Sequence, residues 1–292
     1  MRRLEAECDV DRHDGADGLP REQLIARIPG KRALLCLLTD SVDRAVLDAA
    51  DALEVIANIA VGYNNIDLVA ARERGIAVTN TPDVLTEASA DFTWALILGI
   101  TRRIGEGERL VRRGEWKGWA LDFMLGAELR GKQLGIVGYG RIGRAVAARA
   151  AAFGMHVVHN SRSEGMPLDR LLSTSDVVSL HCPLTPETFH LIDQAALARM
   201  KRSAYLINTS RGPVVEEAAL AWALRERMIS GAAIDVYENE PAVHPDLLKL
   251  ENVLLAPHLA SATVETRTAM ADLAVRNVLA VLAGQPPLTP VP

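Results

Sequence analysis

Apolar positions along this chain follow two alternating patterns. Short apolar runs bounded by polar or turn residues read as buried strands. They lie at 33–38, 54–59 and 76–80, and in a second series at 134–138, 156–160, 177–182, 204–208, 232–235 and 253–256. Between them apolar residues recur at helical spacing, and helices fit at 142–153, 187–200 and 216–229. Such alternation is the signature of parallel α/β sheets. A long apolar helix over about 86–104 follows "NTPD", with Thr86 as its cap and Glu87 in its first turn. The polar stretch "RRGEWKGWALDFMLGAELRG" separates it from the second series. A last helix over about 262–283 comes after the final strand and is expected to pack back on the first domain. The pattern predicts α/β architecture with two doubly wound parallel-sheet domains around a cleft. Residues 1–101 and 260–292 form one, and 102–259 the other. A length of 292 residues fits two cores better than one.

Composition narrows the classes of partner. The chain is 49% apolar and 24% charged, ordinary for a soluble globular protein. Its net charge is −5 with both signs interleaved, so no basic stripe points to nucleic acid. The longest apolar stretch, "TWALILGI", is too short to span a bilayer, so no membrane partner is expected. The start, "MRRLEAECDVDRHDG", lacks the apolar run of a signal peptide, and a cytoplasmic location is the expectation. Cys8, Cys36 and Cys182 are odd in number and widely spaced, which suggests a reducing compartment. With no CxxC or HExxH, no metal site is expected. Trp116, Trp119 and Phe123 fall in a polar stretch, either as a local staple over the core or as a contact with a second copy. A homodimer is the expectation.

The first chemical signature is glycine-rich. Gly138, Tyr139, Gly140, Arg141, Ile142 and Gly143 match G-x-G-x-x-G, directly after an apolar strand and at the opening of an Ala-rich helix. The first glycine permits the turn, the second lets backbone approach a pyrophosphate, and the third lets helix and strand pack closely. The phosphates would meet the free N–H groups of the helix N-terminus. Residues 102–259 therefore read as a Rossmann-type cofactor domain. NAD is normally marked by an acidic residue at the end of the next strand. Here Ser161 lies 18 residues after Gly143, flanked by Asn160, Arg162 and Ser163. A carboxylate would repel a 2′-phosphate, whereas a hydroxyl and a guanidinium would bind one. Ser161, Arg162 and Ser163 thus read as an NADP pocket, with NAD the lesser match.

Several longer motifs then occur in order: "NIAVGYNNIDLVAARERGIAVTNTPDVLTEASAD", "LRGKQLGIVGYGRIG", "HCPLTPETFHLI", "INTSRGPVVEEAAL", "GAAIDVYENEP" and "NVLLAPHLASAT". From about residue 50 onward the chain resembles the D-2-hydroxyacid dehydrogenase family, most of all its glyoxylate/hydroxypyruvate reductases. The resemblance implies a flavodoxin-like substrate domain and NADPH-dependent reduction of glyoxylate or hydroxypyruvate to the D-hydroxyacid. It implies Arg211, Glu240 and His258 as catalytic residues. The chemistry suits these types. His258 would protonate the carbonyl oxygen, and Glu240 beside it would favour the imidazolium. Arg211 would grip the substrate carboxylate and orient the carbonyl.

By the same matching, the backbone of Val61 and Gly62 would bind the substrate carboxylate. Cys182 and Pro183 would line the cofactor channel, Thr209 and Ser210 would sit on the nicotinamide side, and Asp235 would bond the carboxamide. Trp119 aligns with a position that in some relatives reaches the neighbouring subunit's active site. Against the family pattern, the strand before "LEAECDV" and the segment 163–168 look short. Other readings are an NAD-linked dehydrogenase of another D-2-hydroxyacid, a dinucleotide sensor and an inactive relative.

Overall fold

The computed structural model describes residues 2–15 and 18–292. The nine apolar runs pair, all in parallel, into two sheets. The chain divides into two units, Met1–Leu85 with Thr263–Pro292, and Thr86–Ala262.

In the first unit β1 (Ala33–Cys36), β2 (Val55–Asn58) and β3 (Ala77–Thr79) form a sheet in that order. Side chains alternate across β2, so one strand serves two cores. Ile56 faces a cluster with Leu24, Ile28, Val46, Leu47 and Ile76. Val55 and Ala57 face Leu4 and the residues Ala274, Val275 and Val278 of the C-terminal helix Val264–Leu282. That helix starts where Thr263 accepts the Thr266 N–H at 3.1 Å, a normal N-cap. Buried Asn277 then accepts the N–H groups of Leu288 and Thr289 at 2.9 and 3.0 Å. This directs the tail along β3, where Val291 donates to the Val78 carbonyl at 2.8 Å.

The second unit holds β4 (Gln133–Val137), β5 (His156–Asn160), β6 (Val177–Leu180), β7 (Tyr205–Asn208), β8 (Gly231–Ile234) and β9 (Val253–Leu255). Their order is β5-β4-β6-β7-β8-β9. Chain direction across the sheet therefore reverses between β4 and β6, the place where open α/β sheets bind ligands beyond their carboxyl ends.

Both expected boundaries move. The helix Thr86–Thr101 belongs to the second unit, not the first. Trp94 explains why: its ring stacks on Phe153 at 4.2 Å, and its indole N–H donates to the Val146 carbonyl at 3.0 Å. At the other junction residues 260–262 stay with the second unit, because Asp235 holds the Ala260 N–H at 2.9 Å.

The helix expected over 187–200 is shorter, Gln194–Arg199. Pro183 and Pro186 keep the preceding stretch irregular, and the Thr188 hydroxyl donates to the Pro183 carbonyl at 2.6 Å. Asp193 then caps the helix through the Ala196 N–H at 2.8 Å.

The carboxyl end of edge strand β5 is covered by its own continuation. Met166 donates its N–H to the His159 carbonyl at 2.7 Å, and Asn160 pairs with Gly165. The shortened segment thus folds back as a turn, where an open edge would invite pairing with another chain.

Candidate active site

Two clusters of side chains gather at the carboxyl ends of the second unit's strands. The first surrounds the glycine loop between β4 and the helix Arg141–Ala150. Gly138 has φ +94°, and a Cβ there would lie 2.4 Å from the Cys182 nitrogen and 2.6 Å from the His181 carbonyl carbon. The turn therefore rests directly on the backbone after β6. Gly143 packs as closely, its Cβ position 2.3 Å from the Gly138 oxygen. Gly140, the residue before the helix, has nothing within 4 Å of its Cβ position. Open space above a helix N-terminus, with tight packing on either side, fits the approach of a pyrophosphate.

Tyr139 stacks on His159 at 3.9 Å, while Arg144 lies 5.4 Å from its ring and donates to its carbonyl. Cys182 is buried, and burial pushes its thiol up to about 11, so it forms a neutral wall. Burial also pulls the His181 imidazole down to about 4, with the Ser179 hydroxyl 2.8 Å from Nε2. Pro183 is exposed beside them.

At the end of β5 the Ser161 hydroxyl closes the 161–164 turn. It donates to the Glu164 carbonyl at 2.9 Å and accepts the Glu164 N–H at 3.2 Å. Arg162 and Ser163 are exposed on the same turn.

The second cluster joins the loops after β7, β8 and β9. Asn208, fully buried at the end of β7, accepts the N–H and hydroxyl of Ser210 at 3.0 and 2.8 Å and donates to the Arg211 carbonyl at 3.0 Å. Thr209 lies 3.1 Å, oxygen to oxygen, from Thr93. Gly212 lies against the loop after β8, with its Cβ position 1.8 Å from the Tyr237 oxygen. Arg211 is thereby fixed beside that loop. Burial pulls its guanidinium below the usual value, and the Glu240 charge works the other way.

Asp235 directly follows β8 and organises the loop after β9. Its carbonyl accepts the His258 N–H at 2.8 Å, and its carboxylate accepts those of Leu259 and Ala260 at 2.7 and 2.9 Å. Burial raises the Asp235 carboxyl above its ordinary range despite these bonds. His258, at φ +55°, faces Glu240, with Nδ1 to Oε2 at 2.9 Å. The other Glu240 oxygen accepts the Tyr237 N–H at 3.1 Å.

Burial works to raise the Glu240 carboxyl, but His258, the Tyr237 N–H and Arg211 outweigh it, and the net shift is downward. Glu240 therefore stays ionised at neutral pH. A carboxylate lowered by folding adds stability above its unfolded pKa, and loses it as pH falls through the folded one.

Arg211, Glu240 and His258 are thus brought together, as are the glycine loop and the residues after β6. Val61 and Gly62 lie in the first unit, in the turn after β2. Asn80 donates to the Val61 carbonyl at 2.7 Å and Asn58 to that of Gly62 at 2.9 Å. These ties use carbonyls and not the N–H groups an anion would need. Sequence reasoning missed Asn208 as the brace under Arg211; its signal was an amide at a strand end within "INTSRG". Among the described residues, no group of three His, Cys, Asp or Glu side chains is placed to hold a metal ion, and no helix is long and apolar enough to cross a membrane.

A glycine loop at a strand-order reversal, with an Arg–Glu–His cluster at neighbouring strand ends, defines a dinucleotide-binding oxidoreductase. Comparison with known proteins narrows the class. Residues 94–260 match the model of the D-isomer specific 2-hydroxyacid dehydrogenase, NAD binding domain. A glyoxylate reductase of Thermofilum pendens is 50% identical, over 96% of this chain and 87% of its own length. A solved structure of a Thermus thermophilus protein superposes with a TM-score of 0.95 at 47% identity, covering 100% of this chain and 96% of the other. An NADPH-dependent glyoxylate/hydroxypyruvate reductase from Sinorhizobium meliloti, solved with NADP and malonate, gives a TM-score of 0.84 at 37% identity, covering 91% and 87%. The chain belongs to the D-isomer specific 2-hydroxyacid dehydrogenase family and is an oxidoreductase whose second unit carries the NAD(P)-binding domain.

Proposed function

We propose that this protein reduces a small 2-oxoacid, glyoxylate or hydroxypyruvate, to the D-2-hydroxyacid with NADPH. The observation that carries the reading is the 2.9 Å contact between His258 and Glu240, whose loop packs against Gly212 beside Arg211. NADPH, when bound, would supply the hydride. With Nδ1 held by Glu240, His258 presents Nε2 and gives its proton to the carbonyl oxygen. Arg211 binds the substrate carboxylate and faces the developing alkoxide with a second positive charge. The first unit serves as the substrate domain, with the backbone N–H groups of Val61 and Gly62 as its own substrate-binding groups. Thr209, Ser210 and Asp235 stand on the nicotinamide side, with Cys182 and Pro183 along the channel.

The glycine loop, Gly138 to Gly143, holds the pyrophosphate. At the ribose, the single hydroxyl proton of Ser161 is already committed to its turn, so Ser161 shapes the pocket. Arg162 makes the charged bonds to the 2′-phosphate. The test follows nicotinamide absorbance with glyoxylate and with hydroxypyruvate, comparing NADPH and NADH. NADPH should be oxidised faster by the parent chain, and Arg162→Ala should lower that preference by about tenfold. Faster oxidation of NADH by the parent would remove the pocket and leave an NAD-linked enzyme. No oxidation by folded protein that still binds NADPH would favour a sensor.

We also propose a cytoplasmic homodimer. Trp116, Trp119, Leu121 and Leu125 are exposed on one segment, with Trp119 and Leu121 at 81% and 83% of full exposure. Apolar surface of this kind is what a second copy covers. Sedimentation equilibrium should give a dimer, and Trp119→Glu should shift it toward monomer. A monomeric parent chain would discard this role.

A further inference from the structure

Glu217 is the first residue of the helix Glu217–Arg225, a position where an exposed acid is ordinary. Here the side chain is buried, at 5% exposure. Its two carboxylate oxygens accept N–H groups from a single loop. Oε1 takes the N–H of Glu238, and Oε2 takes that of His244 at 2.9 Å. A return bond runs from the Glu217 N–H to Glu238 Oε1 at 2.6 Å, and Glu238 Oε2 lies 3.5 Å from His190 Nε2.

The two tethered residues bracket Glu240. One carboxylate thus holds both ends of the loop that presents Glu240 to His258. Burying a carboxylate is costly unless its lone pairs are filled. Charge-assisted bonds to two N–H groups fill them and fix the loop at the same time.

We propose that Glu217 is a positioning residue for the Glu240–His258 pair. It touches neither substrate nor cofactor. It sets the 238–244 loop so that Glu240 stays within hydrogen-bond reach of His258 Nδ1. The role rests on the reading of His258 as proton donor. Small displacements of a catalytic group cost turnover, and a shift of about 1 Å costs on the order of 100-fold.

The test is a double-mutant cycle of Glu217→Gln and Glu240→Gln in the full chain. The amide turns a donor toward one of the two N–H groups, so the clamp loses one bond. Glu217→Gln should lower kcat at least about tenfold, with KM for the 2-oxoacid and NADPH affinity within about twofold of the parent. In the Glu240→Gln background the same change should cost nothing further, which a general loss of structure would not reproduce. A kcat within about twofold of the parent, or equal losses in both backgrounds, overturns the role. Should Glu217→Gln not fold, Glu217→Asp enters the same cycle with the same readings, because its shorter side chain cannot span both N–H groups. A parent inactive with either 2-oxoacid sinks the reaction and this role together. An active parent with an unaffected Glu217→Gln sinks only the role.

Discussion

Replacing His258 with asparagine is expected to cut the turnover of 2-oxoacid reduction by about two to four orders of magnitude, the usual worth of a positioned proton donor. NADPH affinity should be unchanged, since the glycine loop lies at the ends of other strands. Asparagine is the better substitution because residue 258 sits at φ +55°, in the left-handed region. Any residue with a Cβ carries left-handed strain of roughly 1–2 kcal/mol there, histidine included, and alanine lacks the side-chain polar group that helps asparagine bear it. Asparagine tolerates the conformation and fills part of the same space without a proton to give near neutral pH. The Asp235 bonds to the backbone of 258–260 do not depend on the ring, so the loop should keep its place. Steady-state kinetics at several pH values, with a cofactor titration, check the result. A variant that keeps most of its turnover would mean that His258 is not the donor, whatever its distance from Glu240.

How much of this arrangement was legible beforehand differs by kind of feature. The strands could be read because most are parallel strands buried on both faces and therefore apolar runs; edge strand β5, with no fully buried residue, showed only through its Val157-Val158 pair. Ownership of the helix Thr86–Thr101 could not. It buries residues around much of its circumference, including Ala90, Trp94, Leu96 and Gly99, so its pattern names no partner. Arg211, Glu240 and His258 were legible through motifs, each beside a strand end. The parts that hold them in place were not. Asp235 serves the His258 loop through backbone N–H groups, and Glu217 reaches backbone N–H groups 21 and 27 residues further on. Backbone donors carry no residue signature, so a side chain that meets them reads as an ordinary cap or first-turn acid.

The glycine loop yields the other large effect, through two substitutions that should fail differently. Gly138→Ala places a Cβ where Cys182 and His181 backbone atoms already lie, at 2.4 and 2.6 Å, and does so at φ +94°. Neither neighbour is a side chain that can rotate away. The carboxyl ends of β4 and β6 must part. Overpacking of this kind costs about 1–3 kcal/mol, to which left-handed strain adds roughly 1–2. Against a total stability of about 5–15 kcal/mol this should lower the melting temperature measurably and abolish tight NADPH binding. Gly140→Ala adds the same methyl group where nothing lies within 4 Å, at φ −82°. It should melt close to the parent and still lose NADPH affinity by about tenfold or more, because the space it fills is the approach of the pyrophosphate. Thermal unfolding and fluorescence titration on the two variants separate folding from binding. If Gly140→Ala bound NADPH as tightly as the parent, the dinucleotide would not approach this backbone. The open space above the helix Arg141–Ala150 would then have to be explained without it.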